Sequence, residues 1–215
     1  MTFDLNRVRG ALYGALIGDA LGVPYEFHTP DELPPRHLID MEPPAGFARA
    51  HRGTPAGTWS DDGALMLALL DSLARVRPFS LDDFGARMLD WRYRGAYTPD
   101  GRVFDVGMQT SAALARIAEG TPAAQAGASG EHDNGNGALM RVLPVVFITD
   151  GTGEEGAPLL AREQCLPTHA HLWSQLSCAL YALVARRLLC GASFDEAYAR
   201  SCDWLAQCLP EGEAK

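Results

Sequence analysis

Apolar residues recur at intervals of three and four along most of the chain, a spacing that places them on one face of an α-helix. Six segments carry this pattern, and they cover residues 8–16, 65–73, 84–91, 109–119, 172–188 and 194–209. The first helix is expected to end near Gly22 and Pro24, because glycine and proline stop helix propagation. The pattern predicts an all-α protein.

The segments between these helices are loops rich in Pro, Gly or Ala, at residues 30–58, 120–137 and 150–158. None of them has the length and polarity of an interdomain linker, and no segment is repeated. Residues 1–215 are therefore predicted to form a single helical-bundle domain. The run VLPVVFIT at 142–149 has the composition of a short strand, and it is the one candidate of that kind.

Chain length and net charge limit the kinds of protein that this sequence can form. A chain of 215 residues with 47% hydrophobic content is large enough to bury one substantial core. Its net charge of -9 argues against a nucleic-acid or anionic-membrane surface, because both require a basic face.

Cysteine usage indicates the compartment. The five cysteines all lie in the last quarter of the chain, in an odd number and without a CxxC pair, which favours free thiols in a reducing environment. The apolar segment at residues 11–24 is short, is interrupted by Asp19 and is followed by no cleavage signature. We therefore predict a core helix in a cytoplasmic protein that does not span a membrane.

Ser60, Asp61 and Asp62 stand directly in front of the second apolar run, and two interpretations are open. Ser and Asp are favoured at helix starts, where they accept hydrogen bonds from free N–H groups and meet the positive end of the helix dipole. The same oxygen-bearing side chains also suit Mg²⁺ or Mn²⁺. At a helix entrance consecutive side chains are able to converge on one ion, which they cannot do inside a regular helix.

Asn134, Gly135, Asn136 and Gly137 open a second segment with two interpretations. Glycines let backbone N–H groups approach a ligand closely, and a helix N-terminus favours phosphate. Asn-Gly pairs are equally typical of an ordinary turn. The good helix formers that follow, up to Pro144, predict that a helix begins here.

Further candidates lie near the starts and ends of other helices. Thr168 has the character of an N-cap for the longest helix, with His169 and His171 beside it. Two histidines at this spacing can ligate zinc in an extended chain, but no third ligand follows at a recognisable spacing. Glu26, after the first helix, and Asp105, before the fourth, complete the set, and either also fits an ordinary loop acid.

Taken together and in order, these segments resemble the ADP-ribosylglycohydrolase family, which includes dinitrogenase reductase-activating glycohydrolase and the vertebrate ADP-ribosylhydrolases. The matching segments are RGALYGALIGDALGVPYEF, GTWSDDGALMLALL, FDVGMQTSAAL, GNGALMRVLP and THAH. They run from residue 10 to about residue 190, and five matches in one order are unlike a chance coincidence.

The resemblance implies an all-α fold that holds two Mg²⁺ or Mn²⁺ ions and hydrolyses the bond between ADP-ribose and a modified side chain or related conjugate. Such a bond breaks through a cationic ribosyl transition state, which carboxylates and a metal-held water can serve. Carried over by position, the metal ligands are Ser60, Asp61 and Asp62, the gating or catalytic carboxylate is Glu26, the ribose contacts are Asp105 and Gly107, the diphosphate cradle is Gly135, Asn136 and Gly137, and His169 is a ligand contact. Asp61 and Asp62 count among the catalytic residues through the metal they hold.

The chain departs from the family pattern in three places. Ser60 replaces the usual Thr but keeps the hydroxyl, and Gly63 stands where many members have a second Thr, with little loss expected. The third departure is larger, because the family's remaining metal ligands lie in an Asp-x-Asp-Thr segment near the end of a longer chain. Residues 188–215 contain Asp195 and Asp203 but no Asp-x-Asp.

Three functional interpretations follow from that departure. The first is a metal-dependent ADP-ribosylhydrolase, either truncated at its C-terminus or a short variant that completes its site otherwise. The second is a degenerate member of the family that binds ADP-ribose or a partner without turnover. The third is an unrelated helical metal hydrolase.

Overall fold

The computed structural model of the chain describes residues 3–148 and 156–208, and residues 1–2, 149–155 and 209–215 lie outside it. Its helices are α1 (Leu5–Gly22), α2 (Asp61–Arg75), α3 (Leu81–Arg94), α4 (Met108–Ala118), α5 (Ala123–Ala126), α6 (Gly156–Glu163), α7 (Leu172–Leu189) and α8 (Phe194–Cys208). Short 3₁₀ turns occupy Val23–Tyr25, Pro30–Glu32, Arg36–Leu38 and Leu143–Phe147. Within these ranges the one β-type pairing is an isolated bridge between Ala128 and His169. The all-α prediction is confirmed.

Helix α2 lies at the centre of the core. The helix packs against α1, α3 and the 3₁₀ turn Leu143–Phe147, and its buried apolar residues are Ala64, Leu65, Met66, Ala68, Leu69 and Leu73. The neighbours contribute to one continuous cluster that includes Phe84, Met88, Trp91, Leu114, Val142, Val145, Val146, Cys165, Cys178 and Ala182. Because α2 is enclosed on several sides, its N-terminal residues are held in a fixed place.

The second half of the described chain adds α6, α7 and α8, which pack one on the next. Neither α5 nor α6 was predicted, since four and eight residues are too short to show a helical period clearly. The predicted loop at 150–158 falls largely on residues that the structure does not describe. Across the described ranges, no helix combines the length and apolar character needed to cross a bilayer.

The predicted strand at 142–149 is wrong. Residues Leu143–Phe147 form a 3₁₀ turn in which Val145 N–H donates to Val142 O at 3.1 Å, and Ile148 N–H donates to Val145 O at 3.3 Å. Pro144 in the first turn favours this conformation, and a strand would need a neighbouring strand that the described chain does not offer. The apolar run is buried among helices, which its composition alone cannot distinguish from burial in a sheet.

Two helix starts also differ from prediction. Residues 137–142 form turns rather than a helix, with Leu139 and Met140 N–H both directed to Asn136 O at 2.8 and 3.3 Å. The N-cap of α7 is His171, whose Nδ1 accepts from Trp173 N–H at 3.2 Å. Thr168 is not a cap, because its hydroxyl is buried against Arg141.

Gly63 allows α1 to pack closely against the start of α2. A Cβ at this position would lie 2.8 Å from Leu16 Cδ2, 2.9 Å from Asp19 Oδ2 and 2.9 Å from Trp59 Cδ1. The space that a larger residue would need is filled by these three side chains. By contrast, a Cβ at Gly10, on the exposed side of α1, would meet no atom within 4 Å.

We therefore expect opposite effects from two glycine-to-alanine substitutions. Gly63→Ala should lower the free energy of unfolding by about 1–2 kcal/mol through overpacking. Gly10→Ala should raise it by about 0.5–1 kcal/mol, since alanine is the better helix former and the site is open. Urea denaturation measures both, and equal stability of the two variants would contradict the close α1–α2 contact.

Candidate active site

The start of α2 presents polar side chains to a cleft. Ser60 is its N-cap, and its Oγ accepts from Asp62 N–H at 3.2 Å. Asp61 and Asp62 occupy the first turn, where the positive end of the helix dipole favours negative charge. Asp61 is buried, with 6% of its surface exposed, and Asp62 lines the cleft. The capping interpretation is therefore correct for Ser60, and it does not exclude a metal role for the two carboxylates.

Asp19 of α1 ties the two helices together at this point. Its carboxylate accepts from Ser60 N–H at 3.0 Å (Oδ2) and 3.1 Å (Oδ1), and from Gly63 N–H at 2.7 Å. The sequence analysis assigned Asp19 no role. The signal that pointed to it was a charge interrupting the apolar pattern of a helix, because a buried charge is rarely tolerated without partners.

Glu26, His51 and Asp105 form the second part of the cleft. Their ligand atoms all lie within 4.8 Å of one another, and Glu26 Oε2 contacts His51 Nε2. No other group of three or more His, Cys, Asp or Glu is this close anywhere in the described ranges. His51 and Asp105 both adopt positive φ, 46° and 53°, in which non-glycine residues are strained and often functional.

His51 was missed by the sequence analysis because it lies in a long irregular loop where no period reveals which residues face inward. Aromatic contacts hold its ring in place. The ring centroid lies 5.5 Å from that of Phe27 and 5.0 Å from that of Phe104, the residue before Asp105. Only the three-dimensional packing brings these loops together.

Asp105 interacts electrostatically with the acidic residues of both parts of the cleft. Its charge raises the pKa of Asp19, Glu26, Asp61 and Asp62, in each case in addition to burial, which is the largest cause. The pKa of Asp61 rises to about 8, from burial and then from Asp62, Asp105 and Asp19. The pKa of Asp62 rises to about 6 through burial and through Asp19, Glu26 and Asp105.

The donor chemistry of this cluster fits a hard divalent cation. Carboxylate and hydroxyl oxygens are the ligands that Mg²⁺ and Mn²⁺ prefer, and a cation would neutralise the mutual repulsion of the carboxylates. Asp62, Glu26 and Asp19 line one cavity of about 380 Å³ together with Met140 and small residues of α1. That cavity provides room for both an ion and a ligand.

Met140 connects this cavity to the loop 134–137. On the other side of the loop, Gln109 Nε2 of α4 donates to Asp133 O at 2.9 Å, and Ser174 Oγ of α7 donates to Gly135 O at 3.1 Å. The loop is thus held between the starts of two helices. Asn134, Gly135 and Asn136 line a separate cavity of about 140 Å³ together with residues of α7, and Met140 lines the carboxylate cavity.

The start of α4 bridges the two regions. Gly107 is its N-cap and makes no side-chain capping bond, while Asp105 lies two residues upstream and Gln109 two residues downstream. Helix N-termini carry free N–H groups and partial positive charge, which together favour anions. An anionic ligand lying along the cleft would pass this helix start.

His169 lies against both glycines of the loop. A Cβ at Gly137 would be 2.6 Å from His169 Cε1, and one at Gly135 would be 3.4 Å from His169 Nε2. The imidazole is buried, with 3% exposed. Glycine at these two positions therefore lets the imidazole ring pack against the loop. From the sequence, close approach to these glycines was expected only for a ligand.

Comparison with known proteins identifies the family. A model of the ADP-ribosylglycohydrolase family matches residues 2–214. The chain belongs to this family. The family match covers the α1, α2, α4, 134–137 and 168–171 segments that build the cleft.

Relatives share the family at moderate identity. The chain is 29% identical over 196 residues to ADP-ribosylarginine hydrolase Tri1 of Serratia proteamaculans, covering 91% of this chain and 50% of the relative. It is 30% identical over 198 residues to ADP-ribosylhydrolase ARH3 of Homo sapiens, covering 90% and 53%. A solved ADP-ribosylglycohydrolase-related protein complex superimposes with a TM-score of 0.71 at 30% identity, covering 92% of this chain and 61% of that one. The chain spans about half the length of the curated relatives it matches.

The raised pKa of Asp61 predicts a specific pH dependence. A carboxyl that keeps its proton in the folded state up to about pH 8, but loses it near pH 4 when unfolded, makes stability fall as pH rises through that window. Asp61→Asn carries no such proton. In EDTA, the variant should therefore gain stability relative to the unsubstituted chain from pH 5 to 8, by up to about 1 kcal/mol per pH unit.

Chemical denaturation at each pH measures the difference. The matched control is Asp203→Asn, which removes an exposed carboxylate of α8 outside the first turn of that helix. A stability difference between Asp61→Asn and the unsubstituted chain that stays constant across the window would show that Asp61 is ionised in the folded protein.

Proposed function

We propose that this protein hydrolyses the glycosidic bond between ADP-ribose and a modified side chain in a reaction that depends on Mg²⁺ or Mn²⁺. The observation that carries the proposal is the electrostatic grouping of Asp19, Glu26, Asp61 and Asp62 around Asp105, with Asp19, Glu26 and Asp62 lining one cavity. Family membership supplies the reaction class. The names of the relatives, which refer to hydrolysis of ADP-ribosylarginine and of ADP-ribose linkages, support the substrate class.

The proposed metal ligands are Ser60, Asp61 and Asp62 at the start of α2, together with Asp105. Two Mg²⁺ or Mn²⁺ ions are the expected number from the family resemblance. A divalent cation at such a site supplies a water of lowered pKa and an electrophile for the ribose oxygens. The remaining steps are derived from what this chain's own side chains do.

Glu26 is the proposed proton-transfer group. Burial and the neighbouring Asp105 raise the pKa of its carboxyl, while the contact with His51 opposes the rise. A carboxyl with a raised pKa exchanges protons with water or a leaving group more readily near neutral pH. His51 fixes the orientation of Glu26 Oε2 at the cavity wall, and nearby carboxylates stabilise the positive charge that develops on the ribosyl carbon.

The proposed ligand path runs from the carboxylates to the loop 134–137. We expect Asp105 and Gly107 to contact the ribose, and the backbone N–H groups of Gly135, Asn136 and Gly137 to contact the diphosphate. The uncapped start of α4 adds positive partial charge between them. An overall acidic protein can in this way still bind an anionic ligand.

A second function, ADP-ribose binding without turnover, is favoured by one specific observation. Within the described ranges, Asp61 and Asp62 belong to no group of three His, Cys, Asp or Glu residues whose ligand atoms lie within 4.8 Å of one another. If no further protein ligand joins them, water must complete the coordination shell and the affinity for metal falls. We also propose that the partner is an ADP-ribosylated protein and that the location is cytoplasmic.

The proposed function predicts release of ADP-ribose from an arginine-ADP-ribosylated protein in the presence of Mg²⁺ or Mn²⁺. EDTA should abolish it. Asp61→Asn should lower the rate at least about 100-fold, since even residues that only support a metal ligand typically contribute 10–100-fold. Asp195→Asn is the control and should retain the unsubstituted rate.

Isothermal calorimetry with ADP-ribose separates the two functions. Release that is unaffected by EDTA would contradict metal dependence. Binding of ADP-ribose with no release under any metal condition would support the non-hydrolytic function instead, and absence of both would contradict the proposal as a whole.

A further inference from the structure

Arg141 lies completely buried behind the loop 134–137, and its contacts form a directed chain of hydrogen bonds. Its Nε donates to Gln164 Oε1 at 3.0 Å, and its Nη2 donates to Gln164 O at 2.9 Å and to Thr168 Oγ1 at 2.8 Å. Burial lowers the pKa of Arg141 to about 10, which leaves the guanidinium charged at neutral pH. Arg141 therefore acts only as a donor toward Thr168.

The Thr168 hydroxyl, which accepts from Arg141, in turn donates a hydrogen bond to His169. A threonine hydroxyl has one proton to donate, and here its oxygen already accepts from Arg141. His169 Nδ1 lies 2.8 Å from Thr168 Oγ1, and no other acceptor for this hydroxyl occurs within the described residues. The proton of Thr168 therefore points to Nδ1, which must be the unprotonated nitrogen of the ring.

The opposite nitrogen, Nε2, faces the loop. It lies near the Cα of Gly135 and Gly137, since Cβ atoms built there would be 3.4 and 2.9 Å from it. Burial, then the charge of Arg141, lowers the pKa of His169 to about 4, while Asp133 opposes the shift. The ring is thus neutral at pH 7, and only one of its two nitrogens carries a hydrogen.

We propose that Arg141 and Thr168 are positioning residues that hold His169 as the neutral tautomer with its hydrogen on Nε2, so that the ring offers an N–H donor to a phosphate or ribose oxygen at loop 134–137. The assignment of the tautomer follows from the hydrogen-bond chain alone. Its use in ligand binding rests on the proposed function.

The tautomer is tested directly by long-range ¹H–¹⁵N correlation spectra of the uniformly ¹⁵N-labelled protein, with His169→Asn used to assign the signals. We expect Nε2 to carry the shift of a protonated ring nitrogen and Nδ1 that of an unprotonated one. Thr168→Ser, which keeps the hydroxyl, should preserve that pattern. Thr168→Val, which removes it, should give a mixture of tautomers or protonated Nδ1. Protonated Nδ1 in the unsubstituted protein would overturn the proposal.

The consequence for binding is measured by calorimetry with ADP-ribose. Thr168→Val should bind about tenfold more weakly, the cost of one misdirected hydrogen bond, and Thr168→Ser should restore the affinity. Ser72→Ala is the matched control, because it removes another buried hydroxyl, bonded to Asp83 at 2.7 Å, in the distant half of α2.

These experiments separate failure of the positioning role of Thr168 from failure of the proposed function. If Thr168→Val keeps both the Nε2–H tautomer and the full affinity, the positioning role is wrong although ADP-ribose binding stands. If the unsubstituted protein does not bind ADP-ribose, the proposed function fails and the ligand part of the inference fails with it, while the spectra still decide the tautomer.

Discussion

Mutual repulsion among carboxylates is the constraint on which the arrangement of this cleft depends. Four acidic groups lie within electrostatic reach of Asp105, and its charge raises the pKa of each of them. Such a group is costly to hold together in the interior of a protein. The fold offsets the cost with backbone N–H groups on Asp19, the dipole of α2 at Asp61 and Asp62, and His51 against Glu26.

The same constraint explains why the supporting residues lie where they do. Asp19 is held by the N–H groups that open α2, so the two helices that carry acidic groups cannot separate independently. On the far side, Asp61 contributes to the field at Arg141, and Arg141 in turn orients Thr168 toward His169. The carboxylate cluster and the loop 134–137 are thus linked through Arg141.

Local pattern was enough to predict the helices that form most of the core and the acidic start of α2, because helical periodicity and capping chemistry are properties of neighbouring residues. It could not reveal His51 or Asp19, whose roles depend on loops and helices meeting across the fold. The strand predicted at 142–149 failed for a similar reason, since an apolar run records burial but not the kind of neighbour. Arg141 lies within the segment GNGALMRVLP that the sequence singled out. Only the three-dimensional structure shows that its guanidinium donates to Thr168.

We expect the carboxylate cluster to hold a hard divalent cation, and the anomalous signal of Mn²⁺ in crystals of the protein grown with MnCl₂ measures this. A peak should lie within about 2.5 Å of carboxylate oxygens of Asp105 and of Asp61 or Asp62. A peak only at the outer surface, or no peak at saturating Mn²⁺, would contradict it.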